Sequence, residues 1–67
     1  MSKRPEDQES AVLDILGRSR RGPLKPKDLA RGLDVPSHGY KAFRGLLGAM
    51  ERAGKIYRVK GNRYGLP

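Results

Sequence analysis

The stretch Gly54–Pro67, GKIYRVKGNRYGLP, decides how the rest of the chain is read. Tyr57, Val59, Tyr64 and Leu66 alternate with basic or small residues around Gly61-Asn62, and period-two alternation about a Gly/Asn pair is the signature of a β-hairpin. A two-residue turn with glycine first suits type II′ and sets Lys60 opposite Arg63, Val59 opposite Tyr64, Arg58 opposite Gly65 and Tyr57 opposite Leu66. In that register Tyr57, Val59, Tyr64 and Leu66 share one face, while Arg58, Lys60 and Arg63 share the other. The expected strands cover about 55–60 and 63–66. A lone hairpin is marginal in water, so its apolar face must lie on something else in the chain.

Three helical segments upstream supply that surface. In EDQESAVLDILGRS (6–19), Val12, Ile15, Leu16 and Ser19 fall at i, i+3, i+4 and i+7, with Leu13 at the stripe's edge. Pro5 suits a first helical position, and Glu6, Asp7 and Glu9 sit where the helix dipole favours negative charge. Gly22-Pro23 then breaks the period. In PLKPKDLARGL (23–33), Pro26 opens a shorter helix over 26–32 with Leu29, Ala30 and Leu33 on its inner side. Its N-cap is Lys25, which offers no side-chain acceptor to the free amides. Asp28 and Asp34 flank this helix as first-turn and turn residues, and Pro36 forces Val35 out of the helical region.

The third helix, over 38–53, carries the stripe Phe43, Leu46, Leu47 and Met50, with Ser37 as cap and Gly54 as stop. Glu51 and Lys55, four apart, are spaced so that they could pair locally for a few tenths of a kcal/mol. Gly45 and Gly48 interrupt the helix, each at a cost of about 1 kcal/mol relative to alanine. They either admit a neighbouring helix or phosphate backbone closely or are tolerated surface glycines. Residues 1–5 read as a disordered tail, and 6–67 as one domain.

Composition sets the remaining bounds. Sixty-seven residues hold a small core and leave little room for a walled catalytic cleft. The chain has no cysteine, so disulfides and thiolate zinc sites are excluded. No apolar run has membrane-spanning length, and MSKRPEDQES lacks the apolar segment of a secretory signal, so the expected compartment is the cytoplasm. Fifteen Lys and Arg against seven Asp and Glu give a net charge of +8. Residues 1–14 carry −2 and residues 15–67 carry +10, so the folded body is the more basic part. A field of that density attracts polyanions and makes nucleic acid the leading partner.

The order helix, helix, turn, helix, hairpin is that of a winged helix-turn-helix, mainly α with a small antiparallel β-hairpin, an α+β fold. With the apolar stripe inward, Lys41, Arg44 and Arg52 project from the third helix, and Lys55, Arg58, Lys60 and Arg63 line the wing. These seven are the expected nucleic-acid-binding residues. If five or six neutralise phosphates, log K falls against log salt with a slope of roughly −3.5 to −5.5. Tyr57 and Tyr64 have the chemistry of base-stacking platforms, but their alternation with Val59 and Leu66 favours core positions. His38, the one histidine, reads as an exposed turn residue, and neither a metal site nor a catalytic constellation is expected.

PLKPKDLARGL (23–33) followed by FRGLLGAMERAGKIYRVKGNRYGLP (43–67) resembles the N-terminal helix-turn-helix domain of the ribonuclease R branch of the RNase II/RNB exoribonucleases. The likeness covers most of residues 10–67 and is sharpest in LGAMERAGK (47–55) and in RYGLP (63–67), where the wing of such enzymes leads into an RNA-binding barrel. The spacing of ten positions between Leu33 and Phe43 also resembles the family's long connection between its second and third helices. Lys25 stands where the family has a Ser or Thr cap, and Gly45 and Gly48 replace residues more often polar or basic. The resemblance implies a fragment of a processive 3′-to-5′ exoribonuclease whose magnesium is held by aspartates of a separate catalytic domain. The part implied for this chain is a monomeric accessory domain, without a cofactor of its own, that binds structured or duplex RNA. The competing expectations are a free-standing winged-helix DNA-binding regulator and a protein-interaction domain with an acidic partner.

Overall fold

A computed structural model describes residues 5–67. It contains helix α1 (Pro5–Arg18), α2 (Pro26–Gly32), a 3₁₀ turn (Ser37–Gly39), α3 (Tyr40–Arg52), and strands β1 (Tyr57–Val59) and β2 (Arg63–Gly65). The three helices and the antiparallel pair give the α+β winged-helix layout expected from the sequence. The expected tail lies outside the described residues except for Pro5, which is the first residue of α1. That helix ends at Arg18 rather than Ser19, whose hydroxyl donates to the Gly22 carbonyl at 2.8 Å.

The core is built from the predicted stripes. Val12 and Leu16 of α1, Leu29 and Ala30 of α2, and Phe43, Leu47 and Met50 of α3 are buried together, with Ile56 and Tyr64 from the wing. Leu13, Ile15, Leu33 and Leu46 pack around them half-buried. No helix is long and apolar enough to cross a membrane among the described residues.

Helix ends follow local rules with two changes. Lys25 precedes α2 in extended conformation without a side-chain cap, as its chemistry dictates, and Pro26 occupies the first turn. At the other end of α2, Asp34 adopts φ 54°, and the Asp34 and Val35 amides donate to the carbonyls of Arg31 and Ala30. The same closure ends α3, where Gly54 has φ 79° and the Gly54 and Lys55 amides bond to Glu51 and Met50. Ser37 does not cap α3. It opens the 3₁₀ turn, and Gly39 precedes the helix without a side-chain bond, so α3 starts two residues later than the expected 38.

The hairpin is shorter than expected and its register differs by one residue. Tyr57 pairs with Gly65, Arg58 with Tyr64 and Val59 with Arg63, leaving Lys60, Gly61 and Asn62 as a three-residue connection with φ 83° at Gly61 and 60° at Asn62. A shift of one residue exchanges faces. Tyr64 keeps its inward place but shares it with Ile56 in place of Tyr57, which is 45 % exposed; Leu66, beyond the end of β2, is 37 % exposed. Arg58 shares the face of Tyr64 rather than that of Arg63, with which the expected register groups it.

A bridge invisible in the local pattern adds a partner to the outer edge of β2. Leu24, between α1 and α2, exchanges both backbone hydrogen bonds with Tyr64, at 2.9 and 2.8 Å. The amide and carbonyl of Tyr64 thus face Leu24, so Arg58 and Tyr64 form a non-hydrogen-bonded pair, the kind that brings side chains closest. β2 lies between the Leu24 segment and β1, with Gly65 under Pro23, whose Cγ would stand 3.2 Å from any Cβ placed there.

Candidate nucleic-acid interface

The seven expected cations fall into two environments. At the base of the wing, Lys55 and Arg58 are held by carboxylates. Lys55 Nζ contacts Glu9 of α1 at 2.5 Å, and Arg58 Nη2 contacts Glu51 of α3 at 3.2 Å. Arg58 also donates to the Tyr64 hydroxyl at 3.3 Å, with its guanidinium carbon 5.6 Å from the ring centroid. The hydrogen bond to the Tyr64 hydroxyl first, and then the Glu51 carboxylate, push the Arg58 guanidinium above its ordinary value. The expected Glu51–Lys55 pair does not form. Lys55 follows the left-handed turn at Gly54 and has left the helix face on which a partner four residues back would sit.

The other five, Lys41, Arg44, Arg52, Lys60 and Arg63, are exposed, and no described carboxylate lies at ion-pairing distance from them. On α3, Lys41, Gly45, Gly48 and Arg52 follow at i, i+4, i+7 and i+11, which places them along one stripe of the helix. A Cβ added at Gly45 or Gly48 would meet nothing within 4 Å, so no neighbouring helix of this chain requires either glycine. The stripe is flat, open backbone between two cations.

Arg44 and Arg63 are brought to clefts on either side of Lys25. One, of about 360 Å³, is lined by Lys25, Pro26, Lys27, Tyr40, Arg44, Gly61 and Asn62, joining the starts of α2 and α3 to the hairpin tip. The second, of about 290 Å³, is lined by Arg21, Pro23, Leu24, Lys25, Asp28 and Arg63. A groove lined by Gln8, Leu33, Asp34, Val35 and Phe43 is larger, about 560 Å³, but its one charged wall residue is a carboxylate, which suits a polyanion poorly.

Lys25, Lys27, Arg21 and Tyr40 are not among the seven binding residues expected from the sequence, where Lys25 figures only as a helix cap. A signal was present in LKPKD (24–28): lysines at the start of a helix oppose the dipole, so nothing local favours them there. Such a local conflict points to a use elsewhere. Tyr64 is a core residue, as the alternation favoured, whereas Tyr57 is at the surface. His38 is exposed, and among the described residues no three His, Asp or Glu side chains gather as a metal-binding group. Comparison with protein-family models, with curated proteins and with solved structures returned no match to this chain.

Proposed function

We propose that this chain is an RNA-binding module that docks on duplex or structured RNA through sequence-independent phosphate contacts. The observation that carries this reading is the gathering of Arg44 and Arg63, from two different elements, beside Lys25, with Lys27 and Arg21 adding charge to the same two clefts. A phosphate backbone running past the hairpin tip and the start of α2 meets cations on both sides of Lys25, and Lys41, Lys60 and Arg52 extend the positive surface. Lys55 and Arg58 contribute less, because a phosphate must first displace Glu9 or Glu51 from them. The glycine-flattened stripe of α3 carries few side chains able to reach base edges, which favours backbone over base readout.

The choice of RNA, and of a parent resembling ribonuclease R, rests on the likeness of residues 23–33 and 43–67. In that setting the module is a cytoplasmic, monomeric accessory domain that holds RNA for a 3′-to-5′ exoribonuclease whose magnesium and catalytic carboxylates lie outside these residues. Anisotropy titrations with an RNA duplex, a DNA duplex of the same sequence and a single strand, at several salt concentrations, test the reading. The expected result is RNA duplex binding with a log K–log salt slope of roughly −3.5 to −5.5. Absence of binding at low salt, or binding indifferent to salt, contradicts it. Tight, sequence-selective DNA binding supports a DNA-binding regulator instead. Continuation of the reading frame past Pro67 into barrels and an aspartate-rich nuclease domain tests the parentage.

A further inference from the structure

The two basic clefts differ in one respect that bears on what each accepts. Phosphate contact needs only exposed cations, and the cleft around Arg21, Lys25 and Arg63 offers cations and one carboxylate, Asp28, but no aromatic ring. The 360 Å³ cleft adds Tyr40, half-buried and packed against the core, to Lys25, Lys27 and Arg44, and no carboxylate lines it; Tyr40 also borders a neighbouring cleft with Lys27 and Arg31. Its volume falls in the range of about 300–1,000 Å³ in which small organic ligands are held. Gly61, with φ 83° and no side chain, and Asn62, with both donor and acceptor atoms, border it from the hairpin tip.

An aromatic wall among cations is of no use to a fully paired helix, whose bases are stacked on one another and cannot reach it. It suits a nucleotide that is free to leave the stack, since such a base lies on an aromatic face while its phosphates meet the surrounding charge. We propose that this cleft receives one unpaired nucleotide beside a helical segment of RNA, the base stacked on Tyr40 and the flanking phosphates held by Lys25, Lys27 and Arg44, with the Asn62 amide available to a base edge. The proposal rests on the RNA-binding reading and narrows it: the module prefers imperfect helices to perfect ones.

The test compares three labelled RNAs of one sequence: a perfect duplex, the same duplex with a single-nucleotide bulge, and that bulge with its base removed to leave an abasic sugar. The bulged RNA is expected to bind at least fivefold tighter than the perfect duplex, the lower end of what one stacked base contributes. The abasic bulge should lose that gain. Tyr40→Leu should lose the advantage of the bulged RNA over the perfect duplex too, and Tyr40→Phe should keep it. Equal binding of perfect and bulged duplexes, or an abasic bulge that binds as well as the intact one, overturns the proposal without touching phosphate-mediated binding. Because the abasic comparison uses the unmodified chain, it decides the matter even if a Tyr40 variant fails to fold. Failure of all three RNAs to bind at low salt overturns the RNA-binding reading itself, and this proposal with it.

Discussion

The wing carries positive charge at both ends and spends it differently at each. At the base, Lys55 and Arg58 are matched with Glu9 and Glu51, and Arg58 also lies against the Tyr64 ring that fills the core beneath the hairpin. Near the tip, Arg63 and the neighbouring Lys25, Lys27 and Arg44 have no described carboxylate at ion-pairing distance. Charge at the base ties the hairpin to α1 and α3; charge at the tip has no such partner among the described residues, and in the proposed reading it is the part that meets a polyanion. Counting cations on an element therefore overstates its capacity to bind.

The division fails most visibly if the base can be dismantled without loss of stability. Tyr64→Ala removes a buried ring below the hairpin and should cost about 3 kcal/mol or more, by analogy with other large aromatic truncations. For a chain of this size the whole stability is on the order of 3–10 kcal/mol, so urea or thermal melting should show a variant near or past unfolding. A melt close to wild type would mean that the wing is not anchored through Tyr64. Lys55→Ala removes a half-exposed ion pair and should lower stability by about 0.5 kcal/mol, visible as a fall of a few degrees in Tm. Asp34→Gly relieves a left-handed residue at the end of α2 and should raise stability by about 0.5 kcal/mol, with RNA affinity unchanged because no cation is disturbed. Smallest in stability is Lys60→Ala at the tip, within about 0.5 kcal/mol of wild type by melting. Its effect should appear instead as a salt slope reduced by about 1.

The helices were legible because their apolar residues recur at helical spacing over two or more turns, as Phe43, Leu46, Leu47 and Met50 do. The wing was legible as an element but not in register. Its first strand offers two interleaved sets, Ile56 with Arg58 and Tyr57 with Val59, and either set can turn inward. Local alternation favoured Tyr57 and Val59. The register goes with a three-residue turn, and Leu24, forty positions before Tyr64 in the chain, adds a bridge to the outer edge of β2 that local alternation does not show. The candidate site divides in the same way. The wing and α3 cations were identifiable from their faces, but their neutralisation is tertiary: Lys55 meets Glu9 across 46 positions of sequence. Lys25 and Lys27 join Arg44 only once α2 and the hairpin tip come together around a common cleft.

The central claim is that cations near the tip bind while those at the base build. Measuring the log K–log salt slope on one RNA duplex for the wild-type chain, for K25A/R44A/R63A and for K55A/R58A tests it directly. The account predicts that the triple substitution near the tip lowers the magnitude of the slope by roughly 2 to 3 with little change in Tm, while the double substitution at the base lowers it by less than about 1 and reduces Tm. A slope that falls as far for K55A/R58A as for the triple variant, or one that K25A/R44A/R63A leaves unchanged, would contradict the account.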